Sequence, residues 1–94
     1  MATTSNHSSR KCLVMGNWKM HGTLADNAKL LSALRPFAAQ NTEMAVCVPF
    51  PYLAQAQDAL KGSAVTWGAQ DISVQTHGAY TGEVSGAMLK DFGC

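Results

Sequence analysis

Three short, largely apolar segments alternate along the chain with segments of helical periodicity. The apolar segments cover residues 11–15, 44–48 and 65–70, and each is bounded by proline, glycine or polar residues. Runs of this length and continuity are typical of strands that are buried on both faces of a parallel sheet. The pattern therefore predicts three buried strands.

The segment after the first strand predicts an amphipathic helix. Thr23 is suited to cap its amino end, and Pro36 ends or kinks it because proline lacks the backbone N–H. The apolar residues between them lie three to four positions apart and form one stripe: Leu24, Ala28, Leu31 and Leu34.

Two further helices follow the second and third strands. The first is predicted from Pro51 to about Leu60, with Gly62 in the left-handed conformation that ends many helices. The second is a short helix near residues 85–92, with Ser85 as its N-cap. A loop of about a dozen residues precedes it.

The order β-α-β-α-β-loop-α predicts a parallel α/β sheet with right-handed crossovers. A doubly wound sheet and a (β/α)8 barrel both fit this order. A barrel needs eight strands and about 250 residues, and three strands leave apolar edges unpaired. We therefore expect this chain of 94 residues to be an amino-terminal portion of something larger.

Composition excludes several classes of partner. Seven basic and six acidic residues give a net charge of +1, which is not the clustered basic footprint of a protein that binds nucleic acid. The longest apolar stretch, residues 45–54, is interrupted by Pro49 and Pro51 and is shorter than the roughly 20 residues of a membrane span. We expect no nucleic-acid partner and no membrane partner.

The amino terminus and the cysteines bear on localisation. Residues 1–10 are polar and lack the apolar core of a secretory signal, so we expect a disordered extension. The cysteines Cys12, Cys47 and Cys94 are widely separated, which argues against a disulfide framework or a zinc site and favours a cytoplasmic protein. Cys12 and Cys47 lie in apolar runs and are predicted to be buried.

The segment that follows the first strand is GNWKMHG at residues 16–22, which we call the corner. It places polar groups at the end of the strand, where parallel sheets carry active sites. A two-residue period would put Asn17 and Lys19 on one side, with Trp18 and Met20 on the other. An amide and an ammonium together suit an anionic ligand such as phosphate or a developing oxyanion. The alternative is a solvated surface lysine beside a turn asparagine.

Four sequence motifs, in fixed order along the chain, resemble those of the triosephosphate isomerase family. They are GNWKM, VPFPYL, WGAQDIS and HGAYTGEVSGAMLKDFG. The resemblance covers residues 11–94 and implies the first three βα units of a TIM (β/α)8 barrel. It also implies interconversion of dihydroxyacetone phosphate and D-glyceraldehyde 3-phosphate through an enediolate, a step of glycolysis and gluconeogenesis. No metal and no organic cofactor are implied. A different phosphate-binding barrel enzyme with a similar first corner is a remote alternative.

The resemblance assigns roles to individual residues. Lys19 would contact the substrate's phosphate and oxygen atoms and offset the charge of the enediolate, and Asn17 would help to position the substrate. Residues 71–84 would form a loop that inserts into the partner subunit of a homodimer. The dimer-interface residues implied are Met20, Tyr80, Thr81, Gly82 and Glu83. The alternative is that these residues form a flexible surface loop.

The proton-transfer groups of the family are missing from the sequence. The family uses a glutamate base and a neutral histidine, the latter in a word resembling GHSERR. His7, His21 and His77 lie in other contexts, and Glu43 and Glu83 do not follow a strand end. We therefore expect this chain to be inactive alone; the alternative is a catalytically dead fragment that acts, if at all, through association by the third loop.

Overall fold

A computed structural model describes residues 10–94, so the extension predicted for residues 1–10 falls almost entirely outside the described part. The chain forms one sheet of three parallel strands in the order β1-β2-β3. The strands are β1 (Cys12–Asn17), β2 (Thr42–Cys47) and β3 (Val65–Gly68). The helices are α1 (Leu24–Leu34), α2 (Leu53–Leu60), preceded by a 3-10 turn at Phe50–Tyr52, and α3 (Gly86–Asp91).

The predicted helix caps are confirmed. Thr23 Oγ1 accepts a hydrogen bond from the backbone N–H of Asp26 at 3.0 Å, and Ser85 Oγ accepts one from the backbone N–H of Met88 at 3.2 Å. Gly62 follows α2 with φ +82°, a conformation that glycine adopts without steric cost. The prediction for Pro51 was wrong in detail, because the chain makes a 3-10 turn there before α2 begins.

All three helices contribute to a single core against one face of the sheet. Their buried leucines meet valines from β2, from the residue after it and from β3 in one cluster. The largest fully buried side chains of this cluster are Leu31, Leu60, Val48 and Val65. A sequential sheet with every crossover on the same face is the arrangement of a barrel wall. The fold is a partial (β/α)8 barrel with an open sheet.

The first strand is exposed, which corrects the prediction of burial on both faces. Leu13, Val14 and Met15 are each more than half exposed, and Cys12 is exposed rather than buried. The physical reason is that the buried core cluster of the described residues contains valines of β2 and β3 and no residue of β1. The apolar pattern predicted the strand correctly. Its exposed apolar face would need other residues packed against it to be buried, and residues 10–94 do not provide them.

Within the described part of the chain, no helix has the length and apolar character needed to cross a membrane.

Candidate functional site

The carboxyl ends of the three strands meet at one edge of the sheet, which we call the mouth. Hydrogen bonding continues just beyond the strands: Trp18 donates its backbone N–H to the carbonyl of Cys47 at 3.1 Å. Val48 donates in the same way to the carbonyl of Gly68 at 3.0 Å. The residues that follow β1 are therefore fixed relative to the ends of both other strands.

The chain turns sharply at Lys19. Its backbone has φ +55°, in the left-handed region that residues with a Cβ seldom adopt. Asn17 Oδ1 accepts the backbone N–H of Lys19 at 2.8 Å, so the asparagine closes the turn over two residues. The prediction that side chains alternate through Lys19 and Met20 was wrong, because the extended backbone ends before Lys19.

Trp18 and Met20 differ in burial, although the sequence predicted that both face the same side. Trp18 is partly buried and packs against the core, as expected of a side chain directed away from the mouth. Met20 is 93% exposed. It lines an open groove together with His21, Pro49 and Tyr52.

The ammonium of Lys19 is free of protein partners among residues 10–94. The one ion pair within this range joins Lys11 to Glu43 at 3.6 Å, near the opposite ends of the strands. Lys19 is exposed, and its Nζ takes part in no hydrogen bond to another described residue. An unpaired ammonium is a compact point charge that suits a phosphate or an oxyanion.

Gln70 connects the corner to the rest of the sheet, a role that sequence reasoning missed. Its Nε2 donates to the carbonyl of Lys19 at 2.9 Å and to the carbonyl of Cys47 at 3.0 Å. The only sequence signal was its place within WGAQDIS, two residues beyond the end of β3. An exposed glutamine carries no periodic or compositional mark that would distinguish it from a solvated loop residue.

The glycine that ends the corner is held by α1 and the residues before α2. Gly22 has φ +133°, and a Cβ there would lie 2.7 Å from Oδ1 of the buried Asn27. Tyr52 Oη donates to the carbonyl of Gly22 at 2.9 Å, and Asn27 Nδ2 donates to Gln55 Oε1 at 3.1 Å. Glycine is therefore required at position 22 by close packing as well as by the backbone conformation.

The long loop between β3 and α3 has a hydrogen-bonded neck and a defined tip. Ser73 donates its backbone N–H to the carbonyl of Val84 at 2.8 Å, which closes the neck. At the tip, Glu83 donates to the carbonyl of Tyr80 at 3.0 Å, and Gly82 adopts φ +86°. The Tyr80 ring packs over Gly78, where a Cβ would lie 2.9 Å from the ring. These contacts favour an ordered conformation of the loop over a flexible one.

Comparison with known proteins identifies the family. The triosephosphate isomerase family model matches residues 12–94. The triosephosphate isomerase of Thiobacillus denitrificans is 67% identical over 85 residues, which cover 90% of this chain and 34% of that protein. The triosephosphate isomerase of Bordetella pertussis is 61% identical over 93 residues, covering 98% of this chain and 37% of the relative.

The chain belongs to the triosephosphate isomerase family. The resemblance to this family that was inferred from the four sequence motifs is confirmed. The chain spans about a third of the length of the curated relatives it matches, at 34% to 37%. The fold, an open sheet of three parallel strands and their helices, agrees with that share of a barrel.

Neither described glutamate lies in the segment that carries Lys19, and the nearest histidine along the chain is His21, two positions on. Glu43 is paired with Lys11 toward the amino ends of the strands, and Glu83 lies at the tip of the long loop. His77 contacts the hydroxyl of Thr76 at 3.1 Å in that loop. His21 lines the groove beside Met20.

The described chain also carries free thiols, and one of them is that of Cys94. Burial raises the pKa of the Cys94 thiol, and the nearby Cys47 adds to the increase. Cys94 is therefore protonated at neutral pH, the opposite of what a nucleophilic cysteine requires. Among residues 10–94 there is no cluster of side chains suited to a metal ion.

Proposed function

We propose that this chain forms one wall of the substrate site of a triosephosphate isomerase, which interconverts dihydroxyacetone phosphate and D-glyceraldehyde 3-phosphate. The observation that carries the proposal is the unpaired ammonium of Lys19, held at the mouth in a left-handed backbone by Asn17 and Gln70. Family membership gives the substrate class.

The chemistry assigned to this wall is electrostatic. Removing the proton next to the substrate carbonyl produces an enediolate, whose negative charge adds to that of the phosphate. A fixed ammonium stabilises that charge more than it stabilises the uncharged carbonyl, and this difference lowers the barrier. Asn17 contributes by fixing the backbone that carries Lys19. The base and the histidine electrophile of the family would be supplied from outside these residues.

The whole enzyme is proposed to be a homodimer in which residues 71–84 of each subunit enter the other. Two features support this proposal. The loop tip is exposed yet built around Tyr80 and Gly82, and Met20 lies fully exposed beside a groove that is open to receive it. A cytoplasmic location is proposed as well, supported by the free thiols of Cys12, Cys47 and Cys94.

A barrel chimera tests the proposed function. In it, the matched segment of the Thiobacillus denitrificans relative is replaced by the corresponding residues of this chain, which are 67% identical to it. We expect the chimera to turn over triose phosphate within about tenfold of the intact relative, since each tenfold loss corresponds to about 1.4 kcal/mol of lost transition-state stabilisation. The measurement is a coupled isomerase assay.

The intact relative and the relative truncated after its matched segment are the controls for this assay. The truncated relative is expected to be inactive. A chimera that folds, as judged by circular dichroism, but turns over no faster than the truncated control would contradict the proposed function.

A further inference from the structure

We propose that Gln70 is a positioning residue for Lys19, an inference that rests on the proposed function of the Lys19 corner. Gln70 would act through the backbone of Lys19 and touch no substrate atom.

The conformation of Lys19 needs support from outside the turn. Among residues 10–94, Lys19 and Asn41 are the only residues other than glycine with positive φ, at +55° and +58°. Asparagine tolerates this region because its short side chain can bond locally, whereas lysine has no such compensation. The left-handed conformation is therefore sterically unfavourable at Lys19 and persists only if neighbouring groups hold it.

Both polar groups of the Lys19 backbone are held. Asn17 Oδ1 takes the N–H from within the corner at 2.8 Å. Gln70, fifty-one positions away along the chain, donates to the carbonyl at 2.9 Å. Asn17 belongs to the turn itself, so Gln70 is the contact that fixes the Lys19 carbonyl relative to the sheet, in addition to the backbone hydrogen bond from Trp18 to Cys47.

The second hydrogen bond of Gln70 anchors its side chain to the end of β2. Its Nε2 also donates, at 3.0 Å, to the carbonyl of Cys47, which accepts Trp18 N–H as well at 3.1 Å. One terminal amide nitrogen with two N–H groups thus joins the corner to the end of the central strand. Glutamate has no donor at neutral pH, and asparagine is one methylene shorter, so neither reproduces both bonds.

The consequence for catalysis concerns where the ammonium sits. A side chain that meets phosphate and enediolate must be held within about 0.5 Å of its productive place. Without Gln70, the Lys19 backbone is free to relax toward an ordinary conformation, and the ammonium moves with it. We infer that the contribution of Gln70 appears as weaker binding of a phosphate group, in addition to slower turnover.

The test replaces Gln70 by methionine, which has similar length and no N–H donor, in the barrel chimera. We expect KM for the triose phosphate and the inhibition constant of inorganic phosphate each to rise about tenfold, because the ammonium of Lys19 would no longer be held where it meets the phosphate. A purely structural role would reduce the folded fraction and hence kcat, while KM and the phosphate inhibition constant would stay unchanged.

Gln40→Met is the matched control, because Gln40 is exposed and lies just before β2, at the opposite edge of the sheet from the mouth. It is expected to leave both constants unchanged. If Gln70→Met does not fold, Gln70→Asn provides the same comparison, with an expected increase in both constants. Unchanged constants in a folded Gln70 variant overturn the inference alone, whereas an inactive unmutated chimera overturns the proposed function and the inference with it.

Discussion

Replacing Lys19 by methionine in the barrel chimera is expected to lower kcat/KM by about a thousandfold, because loss of one preorganised electrostatic group costs about 3–4 kcal/mol of transition-state stabilisation. Methionine keeps the apolar part of the side chain and removes the charge. The ammonium of Lys19 has no ion-pair partner among residues 10–94, so its removal leaves no opposite charge unpaired. The loss should therefore appear in catalysis and hardly at all in the thermal stability of the chimera.

Lys29→Met is the control for this substitution. Lys29 is exposed on α1 and contributes to no site described above. Its replacement removes the same charge from the chain and is expected to leave kcat/KM unchanged within about twofold, as is usual for a surface residue away from the site. Retention of more than about a tenth of the activity by Lys19→Met would show that the ammonium does not carry the role assigned to it.

A negative charge at Met20 is expected to dissociate the proposed dimer. In the chain alone Met20 is 93% exposed, but docking of a partner's loop would bury it in the adjoining groove. An unpaired carboxylate buried by association costs about 3 kcal/mol or more, so Met20→Asp should raise the dissociation constant of the chimera at least about a hundredfold. Sedimentation velocity across a concentration series measures this constant.

The matched control adds the same charge elsewhere. Ala33 is exposed on α1, and Ala33→Asp should leave the dimer intact. If Met20→Asp and Ala33→Asp gave the same dissociation constant as the parent chimera, the groove beside Met20 would not be the receiving site for the loop.

The sequence was most informative where a residue type has one dominant physical use. Thr23 and Ser85 were recognised as helix caps because their hydroxyls satisfy backbone N–H groups that the helix leaves unpaired, and both hydrogen bonds are present. Proline and glycine marked where helices end for equally specific backbone reasons. The order of the elements followed from these signals.

The first strand shows the limit of a periodicity argument. Leu13, Val14 and Met15 indicated burial on both faces, but burial depends on what surrounds a strand, which its own sequence does not contain. In the described chain the strand is an exposed edge. The pattern predicted the strand correctly and predicted its surroundings wrongly.

The corner shows a different limit. Asn17 and Lys19 were selected by position and chemistry, but their assumed alternation failed because a left-handed residue interrupts the extended backbone. Nothing in the residue type of a lysine signals positive φ. Gln70 was missed for a related reason, since its two hydrogen bonds depend on folding that joins positions 51 and 23 residues apart.

Lys19 and Asn17 are proposed to form one wall of an isomerase site whose proton-transfer groups lie outside these residues. The most direct measurement is a coupled isomerase assay of the 94-residue chain by itself, at a concentration where the barrel chimera gives a robust rate. We expect no turnover above the uncatalysed background, because Glu43 is paired with Lys11 and Glu83 lies at the tip of the long loop, so neither described glutamate is placed as the base. Turnover by the chain alone within about a thousandfold of the chimera, a difference of about 4 kcal/mol in barrier, would contradict the proposal.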